Sequence, residues 1–105
     1  MDELIGGLNQ IEIDKLKEKH GPLILIAVGD EGSEEHFFFR KPDMNVMRAV
    51  SSQVERDPLG AAQIYFKNCL VHGDKSAVEN VEIFVSIAPY LQELIKEKRV
   101  VLKNL

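Results

Sequence analysis

The feature that most constrains this chain is a pair of short segments with no polar face. Pro22-Leu23-Ile24-Leu25-Ile26-Ala27-Val28 is rich in Ile and Leu and bounded by Pro22 and Gly29, which reads as a strand. Asp30-Glu31-Gly32-Ser33 is a polar turn, and Glu35-His36-Phe37-Phe38-Phe39-Arg40 is the return strand. Together they predict a β-hairpin with a loop of about five residues. Side chains alternate along a strand, so Leu23, Leu25 and Ala27 point one way and Ile24, Ile26 and Val28 the other. Phe37 and Phe39 share a face, with Phe38 opposite. Such a sheet must be covered on both sides. Helices of the same chain are one possible cover. A partner chain on one face, or along an open edge, is the other.

The rest of the chain reads as helices around that hairpin. Residues 1–10 are a loosely patterned start, with a flexible link at Gly6-Gly7. Residues 11–20 predict a short helix with Ile13 and Leu16 inward, stopped by Gly21-Pro22; Ile11 and Ile13 also allow a strand start. A second helix runs from a cap at Asp43 to about Arg56, burying Val46, Met47, Val50 and Val54. A third has clearly marked ends: Asp57 as cap, Pro58 at the first position and Gly73 as the left-handed stop. Its apolar face is Leu59, Ala62, Phe66, Cys69 and Leu70.

After a polar turn at Asp74 to Ala77, the run Glu82 to Ala88 is too apolar for an ordinary surface helix. Pro89 predicts a kink or a new helix start. Tyr90 to Lys98 is amphipathic, with Leu91, Leu94 and Ile95 inward. The tail, with Val100, Val101, Leu102 and Leu105, is apolar enough to dock on the body or on a neighbour. The fold class is therefore α+β, in one domain over 1–105: an N-terminal helix, one β-hairpin, then four to five packed helices.

Several function classes are disfavoured. Thirteen basic and 17 acidic residues give a net charge of −4, which lacks the positive footprint of a nucleic-acid binder. Arg40-Lys41 beside Phe37 and Phe39 is a basic-aromatic pairing of the kind that stacks single strands, but it is flanked by an acidic loop. The longest apolar run, Leu23 to Val28, is too short to span a membrane. The acidic start Met1-Asp2-Glu3-Leu4 has no secretory pattern, so a cytoplasmic protein is expected. The single cysteine, Cys69, allows no intrachain disulfide.

Cys69 and His72 lie three apart, a spacing compatible with two metal ligands or a thiolate–imidazole pair. Cys69 also falls on the apolar stripe, and His72 suits a helix C-terminus, so packing and dipole roles weigh against chemistry. Asp30, Glu31, Glu34 and Glu35 do not match a calcium loop and read as a solvated acidic turn. Gly29-Asp30-Glu31-Gly32 lacks the lysine and third glycine of a phosphate loop. No cofactor, metal or catalytic residue is expected.

The order of short landmarks carries a resemblance. Phe39-Arg40-Lys41-Pro42 leads into a helix, Asp57-Pro58-Leu59 opens another, and Cys69-Leu70-Val71-His72-Gly73-Asp74 closes it. Over roughly residues 35 to 105 the chain resembles the small tail-assembly-chaperone-like proteins of bacteriophages and prophages. The resemblance implies a non-enzymatic protein that binds a tape-measure or other tail protein and keeps its apolar helical segments soluble. Phe37, Phe39, Arg40, Val100 and Leu102 are then the candidate protein-binding residues. A small homo-oligomeric subunit, its apolar surfaces covered by copies of itself, is the alternative. An enzyme or metal protein using Cys69 and His72 is the remote one.

Overall fold

The protein is described by a computed structural model covering residues 4–94 and 99–105. It is an α+β structure: α1 (Gln10–His20), β1 (Leu23–Val28), β2 (Glu35–Arg40), α2 (Met44–Ser51), α3 (Pro58–Cys69), β3 (Leu70–His72) and α4 (Val81–Leu91). Two 3-10 segments, Lys75–Glu79 and Gln92–Leu94, flank α4. The strands form an antiparallel sheet in the order β1-β2-β3.

The hairpin forms as its residues dictate. Ile24 pairs with Phe39, Leu25 with Phe38 and Ile26 with Phe37. One face, with Phe37 and Phe39 fully buried, meets α3 and α4 in the main core. Phe38 faces the other way, into a smaller cluster with Leu8 and Ile13. Both faces are thus covered by the chain's own elements. Phe66 of α3 is the hub of the main core. Its ring meets Phe37, Phe39 and Phe84 edge-on, with centroids 5.9, 5.7 and 6.2 Å away.

Residues 5–8 form a tight turn. Gly6 and Gly7 have φ of 60° and 84°, the two positive values that a tight two-residue turn requires. Ile5 and Leu8 exchange backbone hydrogen bonds of 2.8 and 3.1 Å across it. Asn9 then starts α1 with a capping box: its side chain accepts from the Glu12 N–H, and the Glu12 carboxylate accepts from the Asn9 N–H. This resolves residues 10–20 as helix rather than strand.

Three expectations are corrected. First, α3 stops at Cys69 rather than at Gly73. Leu70 and His72 pair instead with Phe39 and Phe38, extending the hairpin to three strands. The unpaired edge of β2 outcompetes one further helical turn. Gly73 instead marks the exit from β3, at φ 138°, where an added Cβ would lie 2.9 Å from the Phe37 ring and 3.0 Å from the His36 carbonyl oxygen. Leu59 faces solvent, and Ala61 and Tyr65 take inward places.

Second, α2 ends at Ser51. The Ser52 hydroxyl donates to the Ala49 carbonyl, competing with the helical ladder, and turns carry the chain to Asp57. Asp57 must leave helical geometry to accept the Gly60 N–H as the cap of α3. Val54 is consequently exposed.

Third, α4 runs through Pro89 without a break. Pro89 lies on the solvent side, so the Val85 carbonyl that loses its helical donor faces water. Among the described residues, fewer helices follow the hairpin than the four to five expected: α2, α3 and α4, with the two 3-10 segments. Leu91 and Leu94 point inward as expected; Ile95 and the remainder of that helix lie outside the described residues.

The Phe66 hub makes a direct prediction. Phe66→Ala removes all three ring contacts and is expected to cost about 3–5 kcal/mol in chemical denaturation. Val81→Ala, at an exposed site, should stay within about 0.5 kcal/mol. Equal effects of the two would contradict this account of the core.

Candidate protein-binding surface

The residues singled out from the sequence are split between interior and surface. Phe37 and Phe39 have no exposed area, because α3 and α4 already occupy their face of the sheet. They are core residues of the fold, packed inside rather than on the surface where they were expected. Arg40 is tied into the scaffold as well. Its guanidinium donates to the Asn68 carbonyl at 2.9 Å and to the Lys41 carbonyl at 3.2 Å, and lies 3.8 Å from the Asp43 carboxylate. It satisfies one of the free carbonyls at the C-terminus of α3, where positive charge complements the helix dipole. Val100 and Leu102 are 85% and 89% exposed, so the apolar tail does not dock on its own body.

Cys69 and His72 are separated by the sheet. Cys69 is buried in the main core, and His72 stands on β3 with its ring edge-on to Phe38, on the opposite face. Burial pushes the Cys69 thiol up from the ordinary 9.0 to about 11; nearby Arg40 pulls it down less, and Asp43 adds slightly to the rise. A thiol kept protonated at neutral pH is a poor nucleophile and a poor ligand. Among the described residues, no three His, Cys, Asp or Glu side chains gather in a way that would hold a metal ion. No helix among them is long and apolar enough to cross a membrane.

The exposed apolar surface lies on α4. Its buried stripe is Phe84, Ile87 and Leu91. A second stripe, Val81, Val85 and Pro89, recurs every four residues about a third of a turn away and faces solvent. Together with the start of α3 it lines a shallow groove of about 360 Å3 formed by Pro58, Leu59, Val85, Ala88, Pro89 and Gln92. Leu59 and Val85 are each 51% exposed. Glu82 and Glu93 are exposed on the same helical run, and Asp57 caps α3 at the groove's end. Sequence reasoning missed this groove as a site, although the excess apolarity of Glu82 to Ala88 was its signal.

No protein-family model matches the chain, and no curated protein matches it. Among solved structures, an uncharacterised protein from Bacillus stearothermophilus, rbstp2171, is similar over 88% of this chain and 99% of its own, with a TM-score of 0.55 and 21% identity. That likeness concerns the fold alone.

The buried thiol gives this arrangement a pH signature. Because the folded-state pKa of Cys69 is raised, its contribution to stability is complete below the unfolded value and is lost as pH rises from 9.0 through about 11. Urea midpoints of the native protein should therefore fall more steeply over that interval than those of Cys69→Ala. The native thiol should also resist a water-soluble disulfide reagent at neutral pH until the chain unfolds. Rapid labelling of folded protein would contradict the burial of Cys69.

Proposed function

We propose that this chain acts by binding another protein and performs no catalysis. The observation that carries the reading is the exposed apolar groove formed by Pro58, Leu59, Val85, Ala88 and Pro89, on helices that also carry the exposed carboxylates Glu82 and Glu93 and the cap Asp57. Contiguous apolar surface with a charged border is the usual mark of a docking site, whereas isolated exposed aliphatics are not. A shallow groove between two helix segments suits the apolar face of a partner helix. The exposed tail residues Val100 and Leu102 offer a second, extended contact.

The partner suggested by the resemblance at Phe39–Pro42, Asp57–Leu59 and Cys69–Asp74 is a tape-measure or other tail protein, for which this chain would act as an assembly chaperone. That finer identity rests on those short motifs. The protein-binding reading rests on the groove and stands without it.

An amphipathic helical peptide taken from a tape-measure protein, titrated into labelled protein, tests both levels. Amide shifts confined to Leu59, Val85, Ala88 and Gln92, and abolished by Val85→Asp, are the expected result. A generic amphipathic helix producing the same shifts would support the groove but not the tail partner. Shifts scattered away from α3 and α4, or insensitive to Val85→Asp, would remove the groove as the site.

A further inference from the structure

One edge of the sheet is built like an interface. The outer strand β1 lies at the end of the order β1-β2-β3 and is paired on one side only. Natural edge strands are blunted by charge, proline, bulges or brevity. Strand β1 is six residues long, Leu-Ile-Leu-Ile-Ala-Val, and its pairing with β2 is regular throughout. Among the described residues, no hydrogen bond outside the sheet engages residues 23–28. Helix α1 packs on the Phe38 face of the sheet through Ile13 and Leu16, and contributes no backbone hydrogen bond to the β1 edge. Leu25, in the middle of β1, is left 38% exposed.

Charge says what fits this edge. At the start of β1 stand Lys17, Lys19 and His20, the basic last turn of α1. Glu18 is the acidic exception there. At the other end are Asp30, Glu31, Glu34 and Glu35, acidic and solvent-exposed. The edge therefore runs from basic to acidic. A second copy laid antiparallel brings each basic end against an acidic end, twice, about a two-fold axis. A parallel copy would oppose like charges.

We propose that β1 pairs antiparallel with β1 of a second copy, forming a continuous six-stranded sheet across a two-fold dimer. The two-fold axis passes at Leu25. That register keeps each side chain on the same face in both copies, so Leu25 meets Leu25 and Ile24 meets Ile26. The main-core faces of the two sheets then run on from one another. The same pairing brings the basic last turn of α1, with Lys19, to the end of the joined sheet that carries Glu31 of the other chain. The surface differs from the α3–α4 groove, so the dimer and the protein-binding reading stand or fall separately.

Sedimentation velocity over a concentration series, with the full chain, tests the inference. The native protein is expected to be a dimer. Leu25→Lys places two ammonium groups together at the axis and removes apolar contact, and should raise the dissociation constant about tenfold or more. Because that variant also touches the Phe38 cluster, the charged ends provide a second test. Lys19→Glu and Glu31→Lys should each weaken the dimer, and the double exchange should restore it. A monomer at all concentrations overturns the proposal. So does a dimer indifferent to Leu25→Lys, or one lost with Val85→Asp or on removing residues 99–105, which would place the groove or the tail between the copies.

Discussion

The contact between the Phe66 ring and the paired rings of Phe37 and Phe39 is the interaction on which the rest of the structure depends. It holds α3 against β2. The chain leaves β2, makes the α2 and α3 excursion, and returns directly into β3, which pairs with the strand it left. Helix and sheet are therefore joined three times over: by the rings, by the ladder of β3, and by Arg40 reaching the Asn68 carbonyl. Phe84 on the other side of Phe66 sets the position of α4. A fully buried aromatic hub is worth more than its area alone, because edge-on ring pairs add to the apolar transfer term.

This closure explains which parts of the fold were legible in the sequence. The hairpin, the Asp43 and Asp57 caps and the inward places of Val46 and Val50 in α2 and of Leu91 in α4 follow from local rules that packing does not contradict. The places where reading failed are those where a distant partner decides. Leu70 to His72 are helix-compatible by themselves, and only the free edge of β2 turns them into a strand. Gly73 looks like a helix stop locally; its φ serves instead a close passage over Phe37. Gly6-Gly7 looks like a flexible link, and only Leu8 burying itself beside Phe38 reveals a turn.

The same reasoning explains why the candidate residues divided as they did. Strongly apolar residues on a two-faced strand are as compatible with a partner as with the chain's own helices. Phe37 and Phe39 were taken by α3, because large aromatic rings yield the most when fully enclosed. The tail has no such competitor and remains exposed. The groove was harder to see, since its residues come from the start of one helix and the outer side of another. Periodicity along a single helix finds its inner stripe first, and a second apolar stripe appears only as excess hydrophobicity.

What remains outside the core has a consistent chemical character. The phenylalanines are inside, while the exposed large apolar side chains are mainly aliphatic: Leu59, Val81, Val85, Val100, Val101 and Leu102, with Tyr90 the aromatic among them. Aliphatic groups in a shallow groove provide apolar area without the directional demands of ring stacking, so under the proposed reading a partner helix would fit them in more than one register. A surface of that kind discriminates weakly by shape, and specificity then falls to the charges at its border. Asp57, Glu82 and Glu93 are the exposed carboxylates on or beside the two helices that form the groove, in a chain with net negative charge, so under the proposed protein-binding reading the fitting partner segment carries lysine or arginine beside its apolar stripe.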